Sequence, residues 1–233
     1  SIHITRHDKP MKIAKIILAL VVIIFNADII GATTYKCTIP ATTMLEEISN
    51  NLIKDYNQKK AVLKDKKALK SYALEVTETT IMPSLDAEYM AKQVIGRYHW
   101  NNSKQNDRDA FVATYKKILT DEYTNFLLSN QTKENLLKFY PSRKKSTEHT
   151  VVFATINGKK KKTTIGFYLH CVDNTVVENI PYKTWMIYDI SVDNISLLDQ
   201  FKATASSTVR NSGMPGLTRK MKEYYQEKVK KGK

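Results

Sequence analysis

Few residues of this 233-residue chain have the types and spacing that do chemistry. Asp189 stands in an otherwise apolar run from Trp185 to Val192, where burial would raise its pKa and suit it to act as a general base in a pocket. The preferred reading is plainer: a carboxylate hydrogen-bonded to backbone or to a basic side chain. Of the five histidines, His3 and His7 lie near the start, and His99, His149 and His170 are scattered with no recognisable nucleophile beside them. His170 falls on the more polar side of its segment and reads as a surface or partly buried structural residue. There is no Gly-rich phosphate loop, no Gly-x-Ser-x-Gly elbow and no His-Glu-x-x-His, so no catalytic residue, metal or cofactor is assigned. Cys37 and Cys171 lack metal-ligand spacing. They are compatible with one disulfide in an oxidising compartment, and equally with two unpaired thiols.

Charge supplies the next feature. The chain carries a formal +14, which favours anionic partners. Lys159, Lys160, Lys161 and Lys162 follow an Asn157-Gly158 turn signal directly. They read either as a solvated strand edge that discourages edge-to-edge pairing, or as a docking point for an acidic partner or anionic headgroups. Arg143, Lys144 and Lys145 extend the basic region.

The elements that must position these residues begin after a leader. From Met11, Lys12 and Lys15 form a short basic region, Ile16 to Phe25 is unbroken apolar sequence, and Gly31-Ala32 offers small residues for cleavage. That pattern predicts a secretory signal peptide, since the apolar core is far shorter than the roughly 20 residues of a membrane-spanning helix. Residues 1–32 are therefore expected to be leader and removed signal. No lipidation box precedes Cys37. Residues 33–233 are expected to form one free domain with net charge near +12, once the +2 of the leader is set aside. Export makes nucleic acid the weakest partner class. Seven Gly, six Pro and the lack of a linker or repeat argue for a single unit with a substantial core.

Helices come first. Leu45, Ile48, Leu52 and Tyr56 recur at helical spacing, as do Leu69, Tyr72, Ala73, Val76 and Thr80 until Pro83. Ser84 is expected to cap a short helix carrying Tyr89, Met90, Val94 and Ile95, which ends near Gly96. Asp107 opens a longer helix with Phe111, Tyr115, Ile118, Leu119, Phe126 and Leu127 on a broad face. The period then changes to two. Val151 to Asn157 and Thr163 to Val172 are expected to form a hairpin through Asn157-Gly158. A third strand runs from Lys183 to Val192, with Met186, Tyr188, Ile190 and Val192 on one face and Trp185, Ile187 and Asp189 on the other. Leu136 to Tyr140 adds an edge strand. Ser196-Leu197-Leu198-Asp199 starts a helix as a capping-box variant, Gly213 stops it, and Pro215 opens a strongly basic last helix. The expected class is α+β, with helices packed over a curved antiparallel sheet. The apolar faces either meet as a core or stand apart around a cavity.

The order of local signatures goes further. Ile81-Met82-Pro83-Ser84-Leu85-Asp86 leads to Met90-Ala91 and Val94-Ile95-Gly96-Arg97, with Trp100 just after. Phe111, Tyr115, Leu119 and Tyr123 follow, then Trp185-Met186-Ile187-Tyr188-Asp189-Ile190, Val192 and Ile195-Ser196-Leu197, and finally Val209-Arg210-Asn211-Ser212-Gly213 before Gly216-Leu217. This succession, from about Leu45 to Glu227, resembles the MlaC family, also called the toluene-tolerance auxiliary proteins. The resemblance implies a cone of helices over a sheet with an apolar lipid cavity. It also implies a periplasmic phospholipid carrier that shuttles lipid between an outer-membrane lipoprotein–porin complex and an inner-membrane ABC transporter, and so maintains outer-membrane lipid asymmetry. Contact with membranes is then transient and through those partners. Val94, Ile118, Ile165, Phe167, Leu169, Tyr188, Ile190, Val192 and Phe201 are the candidate lipid-binding residues, each also readable as ordinary core. Arg97 or Arg143 would attract phosphate near the mouth. The chain departs from the family at Gln200-Phe201, where Tyr-Arg is frequent, and in its Lys-rich hairpin and charged C-terminus. Two other readings stand beside this one: a pocket enzyme with Asp189 or His170 facing the cavity, and an exported adaptor that binds an acidic protein through Lys159 to Lys162.

Overall fold

Helical spacing and turn chemistry set the first layer. The computed structural model describes residues 37–129, 137–144, 146, 148–157, 162–177 and 180–231. The expected leader and signal, and Lys145, Lys159, Lys160 and Lys161, lie outside the described residues. Helix α1 (Ala41–Val62) buries Met44, Leu45, Ile53 and Tyr56. Helix α2 (Lys66–Val76) is capped by Asp65, whose carboxylate accepts the Ala68 N–H at 2.9 Å. It runs on into a wide π-helical turn, Thr77–Ile81, where the Thr77 hydroxyl donates to the Ala73 carbonyl and accepts from Thr124 at 3.2 Å. A 3₁₀ turn, Met82–Ser84, ends the run at Pro83.

The cap of helix α3 (Ala87–Ile95) is Asp86, not Ser84. Tyr89 N–H donates to Asp86 Oδ1 at 2.9 Å, while the Ser84 hydroxyl turns back to the Thr80 carbonyl. Ser84 is already inside the 3₁₀ turn, so Leu85 is extended and the first helical residue moves to Ala87. Gly96, at φ +80°, ends α3 and begins the short α4 (Arg97–Asn101). Helix α5 (Gln105–Ser129) starts two residues before Asp107, and Gln105 donates to Asp109 at 2.7 Å.

The second layer is an antiparallel sheet of β1 (Leu137–Phe139), β2 (Arg143–Lys144), β3 (His149–Asn157), β4 (Lys162–Val177), β5 (Ile180–Val192) and β6 (Ile195–Ser196). The order is β1-β3-β4-β5-β6, with β2 also on β3, and the sheet is not closed. β3 and β4 pair as the expected strands, but Asn157 is a strand residue opposite Lys162 and not a turn residue, while Gly158 lies outside the described residues. The expected edge strand is present, and β4 and β5 extend beyond their expected ends. The closing helix, α6 (Leu197–Lys231), breaks at Gly213, whose φ of 62° lies in the left-handed region, and resumes at Pro215. The class is α+β, with helices packed on the sheet.

Strict alternation fails in β5. Leu169 pairs with Ile187 and Tyr168 with Asp189, so Tyr188 is an extra residue in a bulge. Ile187, Ile190 and Val192 thereby come to the face shared by Leu169, Phe167 and Ile165. Tyr188 leaves Ile190 and Val192 for the side of His170 and Tyr168, with ring centres 5.1 and 6.4 Å away.

Burial is organised in three clusters. One joins α3, α4, α5 and α6 through Met90, Val94, Phe111, Val209 and Leu217. A second joins Met44 and Leu45 of α1 to Leu85, Val152, Leu169 and Ile187. The third holds Tyr56, Ala73, Val76 and Leu127. Leu119 packs against the first two, and Ile81 against the last two.

The cysteines pair. Cys37 and Cys171 form a disulfide across 134 residues, Cys37 N–H donates to the Lys183 carbonyl at 2.9 Å, and Trp185 Nε1 donates to the Ile39 carbonyl at 2.8 Å. Three bonds thus lay the start of the described chain across β4 and β5. Chain-entropy reasoning gives a closure of this length about 5 kcal/mol. Replacing both cysteines by serine is expected to lower the thermal midpoint by roughly 10–20 °C in a scan followed by circular dichroism. A shift within scatter of zero would refute the clamp.

Candidate functional site

An apolar strip that is only partly covered forms the candidate site. On the sheet face carrying Leu169 and Ile187, one end is sealed: Val152 and Leu169 have no exposure and Ile187 is 6% exposed. Further along the same face Ile165, Phe167, Ile190 and Val192 are only half-buried. Helix α5 contributes Ile118, Leu119 and Tyr123, also half-buried; Leu119 and Tyr123 pack against the sheet-side cluster and Ile118 against the helical one. Phe139 lies 6.0 Å from Phe167, and Phe201 stacks on Tyr115 at 5.5 Å, which stacks on Phe111 at 6.1 Å. Large apolar side chains on both layers therefore retain surface that no protein atom covers. Ordinary cores fill such surface to crystal-like density.

The nine residues singled out from sequence divide accordingly. Val94 and Leu169 are fully buried core residues. Ile165, Phe167, Ile190 and Val192 come together through the register, with Ile118 and Phe201 among the half-buried residues of the helical side. Tyr188 is carried away from Ile190 and Val192 by the bulge and sits among rings of Tyr89, His149 and His170. Sequence reasoning did not select Leu119, Tyr123, Phe139 or Trp185 as wall residues, although all four are half-buried against the sheet-side cluster. Leu119 and Tyr123 were visible in the motif succession; Phe139 had only its place in a short edge strand.

Asp189 is fully engaged. Its Oδ1 accepts the N–H groups of Ile190 at 2.8 Å and Leu198 at 3.1 Å, and its Oδ2 accepts the Ser196 hydroxyl at 2.6 Å. Ser196 Oγ in turn accepts the Asp199 N–H at 2.9 Å. Two side chains thus satisfy the open N–H groups at the start of α6, where the helix dipole favours a negative charge. The plainer sequence reading was right. Nearby phenols stay neutral: burial, helped by the Asp189 charge, pushes Tyr123 up to about 12. Tyr115 is raised as well, by burial first and then by Tyr123 and Asp189.

His170 is likewise structural. Buried at 7% exposure, it meets Asp86 with Nε2 2.9 Å from Oδ2, joining β4 to the cap of α3. Burial would raise the Asp86 carboxyl, but hydrogen bonds from His170 and Tyr89 N–H, with the charges of His170 and Lys116, hold it below the usual carboxylate range. Arg97 is exposed at the first turn of α4, and Arg143 lies over the Phe153 ring on the outer strands. An open hollow of about 440 Å³ lies on α3, α4 and α5, lined by Glu88, Trp100, Arg108, Asp109 and Lys116 among others; none of the nine candidates borders it. Among the described residues no group of three or more His, Cys, Asp or Glu is placed to hold a metal, and no helix is long and apolar enough to cross a membrane.

A carboxylate whose folded pKa is depressed adds stability that is present above its unfolded pKa and is lost as pH falls through its folded one. Asp86→Ala is therefore expected to cost about 1–2 kcal/mol at neutral pH in denaturant unfolding. The gap from the parent should shrink once pH falls below about 4. A gap that persists unchanged at low pH would show that the carboxylate charge is not involved.

The chain matches the family described as MlaC protein over residues 46–223. Its fold is similar to the crystal structure of a phospholipid-binding protein from Ralstonia solanacearum in complex with a phospholipid, with a TM-score of 0.62 and 16% identity. The match covers 79% of this chain and 96% of that one. Among curated proteins the sequence has no match. The family match spans the helices, the sheet and most of α6, and the chain belongs to the MlaC family.

Proposed function

We propose that this protein is a periplasmic phospholipid carrier. It would shuttle lipid between an outer-membrane lipoprotein–porin complex and an inner-membrane ABC transporter, and so help keep the outer membrane asymmetric. The observation that carries the reading is the half-buried apolar strip on facing layers of an MlaC-family chain, Ile165, Phe167, Ile190 and Val192 on the sheet with Ile118, Leu119 and Tyr123 on α5. The likeness in fold to a phospholipid-bound protein supports it.

The physics requires little else. A phospholipid with about 30 chain methylenes resists entering water by about 0.8 kcal/mol for each, on the order of 24 kcal/mol in total. A carrier must cover the tails with apolar walls and leave the polar headgroup outside. Neutral phenols such as Tyr123 suit that lining, because a charge there would have to be desolvated. Phe201 would border the strip, and Val94 and Leu169 would support it from behind. Directional transfer would draw its energy from the partners. Cleavage of the signal near Ala32 would set the carrier free to travel. With Asp189 and His170 both committed to structural hydrogen bonds, no observation favours the pocket enzyme.

Organic extraction of protein purified from bacterial cells is expected to release phospholipid detectable by mass spectrometry, and lipid-free protein is expected to take labelled lipid from liposomes. Ile165→Trp with Val192→Trp, which fill the strip, should reduce bound lipid several-fold while leaving the thermal midpoint equal or higher. Purified protein that carries no lipid and takes none up would end the proposal. Unchanged lipid in the filled variant would move the cavity elsewhere.

A further inference from the structure

Positive charge is concentrated in one part of the chain. Residues 130–162 hold nine Lys or Arg against two Glu, half of the net +14 of the whole protein. That stretch builds β1, β2, β3 and the first residue of β4. The register aligns Lys138 with Thr155 and Thr155 with Thr164, and Lys162 stands two residues before Thr164, so Lys138 and Lys162 share one face of the sheet. Tyr140 joins them there, its hydroxyl 3.3 Å from Thr155 Oγ1. The ammonium groups of Lys138 and Lys162 lie 5.8 and 6.0 Å from the centre of its ring, and Lys162 Nζ is 3.4 Å from its hydroxyl. Alongside, the Arg143 guanidinium lies 5.5 Å from the centre of the Phe153 ring.

Gly166 leaves room for the Phe153 ring. A Cβ at this position would meet Phe153 Cε1 at 3.1 Å and would collide with Ser191 Oγ. Without one, the Phe153 ring lies across β4. The neighbouring acids are engaged: Asp193 accepts the Thr164 N–H at 3.0 Å, and Glu148 pairs with Lys183 at 3.4 Å.

We propose that the strip of Lys138, Tyr140, Arg143 and Lys162 docks the protein directly onto an anionic phospholipid bilayer. Ammonium and guanidinium groups meet lipid phosphates, and the Tyr140 and Phe153 rings rest at headgroup depth. An acidic protein face would match the cations and leave the half-buried Phe153 ring against polar surface. The choice of a bilayer rests on the carrier reading above, and the charge and ring geometry do not.

Sedimentation with vesicles tests it. The parent protein is expected to bind mixed phosphatidylcholine–phosphatidylglycerol vesicles, to release them as salt rises, and to ignore phosphatidylcholine alone. Lys138→Glu with Arg143→Glu and Lys162→Glu should weaken binding about a hundredfold. The same charge change on α2, Lys66→Glu with Lys67→Glu and Lys70→Glu, should leave it near the parent value. Both variants should keep the parent's thermal midpoint and extracted phospholipid. Failure of the parent to bind anionic vesicles, equal binding by the strip variant, or stronger capture by polyglutamate than by vesicles overturns the proposal. A parent that binds vesicles through the strip yet yields no extracted lipid would sink the carrier reading and leave the docking surface standing.

Discussion

Asp189 joins the sheet to the helix that closes the chain. It sits beside the bulge of β5 and caps α6, so one carboxylate satisfies backbone N–H groups of the sheet and of the helix. A buried carboxylate is costly unless its lone pairs are met, and here three donors meet them. The Asp86–His170 contact ties α3 to β4 in the same way. Both contacts fix helices to the sheet from the face opposite the half-buried strip, so the strip's own side chains are not needed to hold the layers together.

The bulge has a second effect. By adding one residue it brings Ile187, Ile190 and Val192 to a single face and gives Tyr188 to the other side. Without it the face opposite Phe167 and Leu169 would alternate between strand halves, and no continuous apolar strip would form. A local irregularity in hydrogen bonding therefore sets the continuity of a surface several residues long.

Much of the architecture could be read from residues. The Gly213–Pro215 break depends on backbone conformations that few residue types adopt, and the Ser196 start on a side chain that caps a helix, so composition exposed both. The bulge could not be read, because period two assigns faces only while one residue opposes one. Ser84 and Asp86 are both good cap residues, and only the 3₁₀ turn around Pro83 decides between them. The cysteines, 134 residues apart, gave no pairing until their strands were placed. The site was the least legible part. Periodicity says which side chains face inward and nothing about how near the opposite layer stands, so core and cavity wall have the same pattern. The order of the family's motifs carried the functional reading that periodicity could not.

The disulfide makes completion of the fold conditional on its surroundings. Cys37 lies only four residues before α1 and Cys171 in β4, so the crosslink ties the start of the helical layer to the sheet. In a reducing solvent Cys37 and Ile39 would keep only single hydrogen bonds to β5, and α1, whose first residues help seal the end of the apolar strip, would lose its anchor. Oxidation thus tightens one end of the apolar strip: the start of α1 is held hardest to the sheet where thiols are not kept reduced.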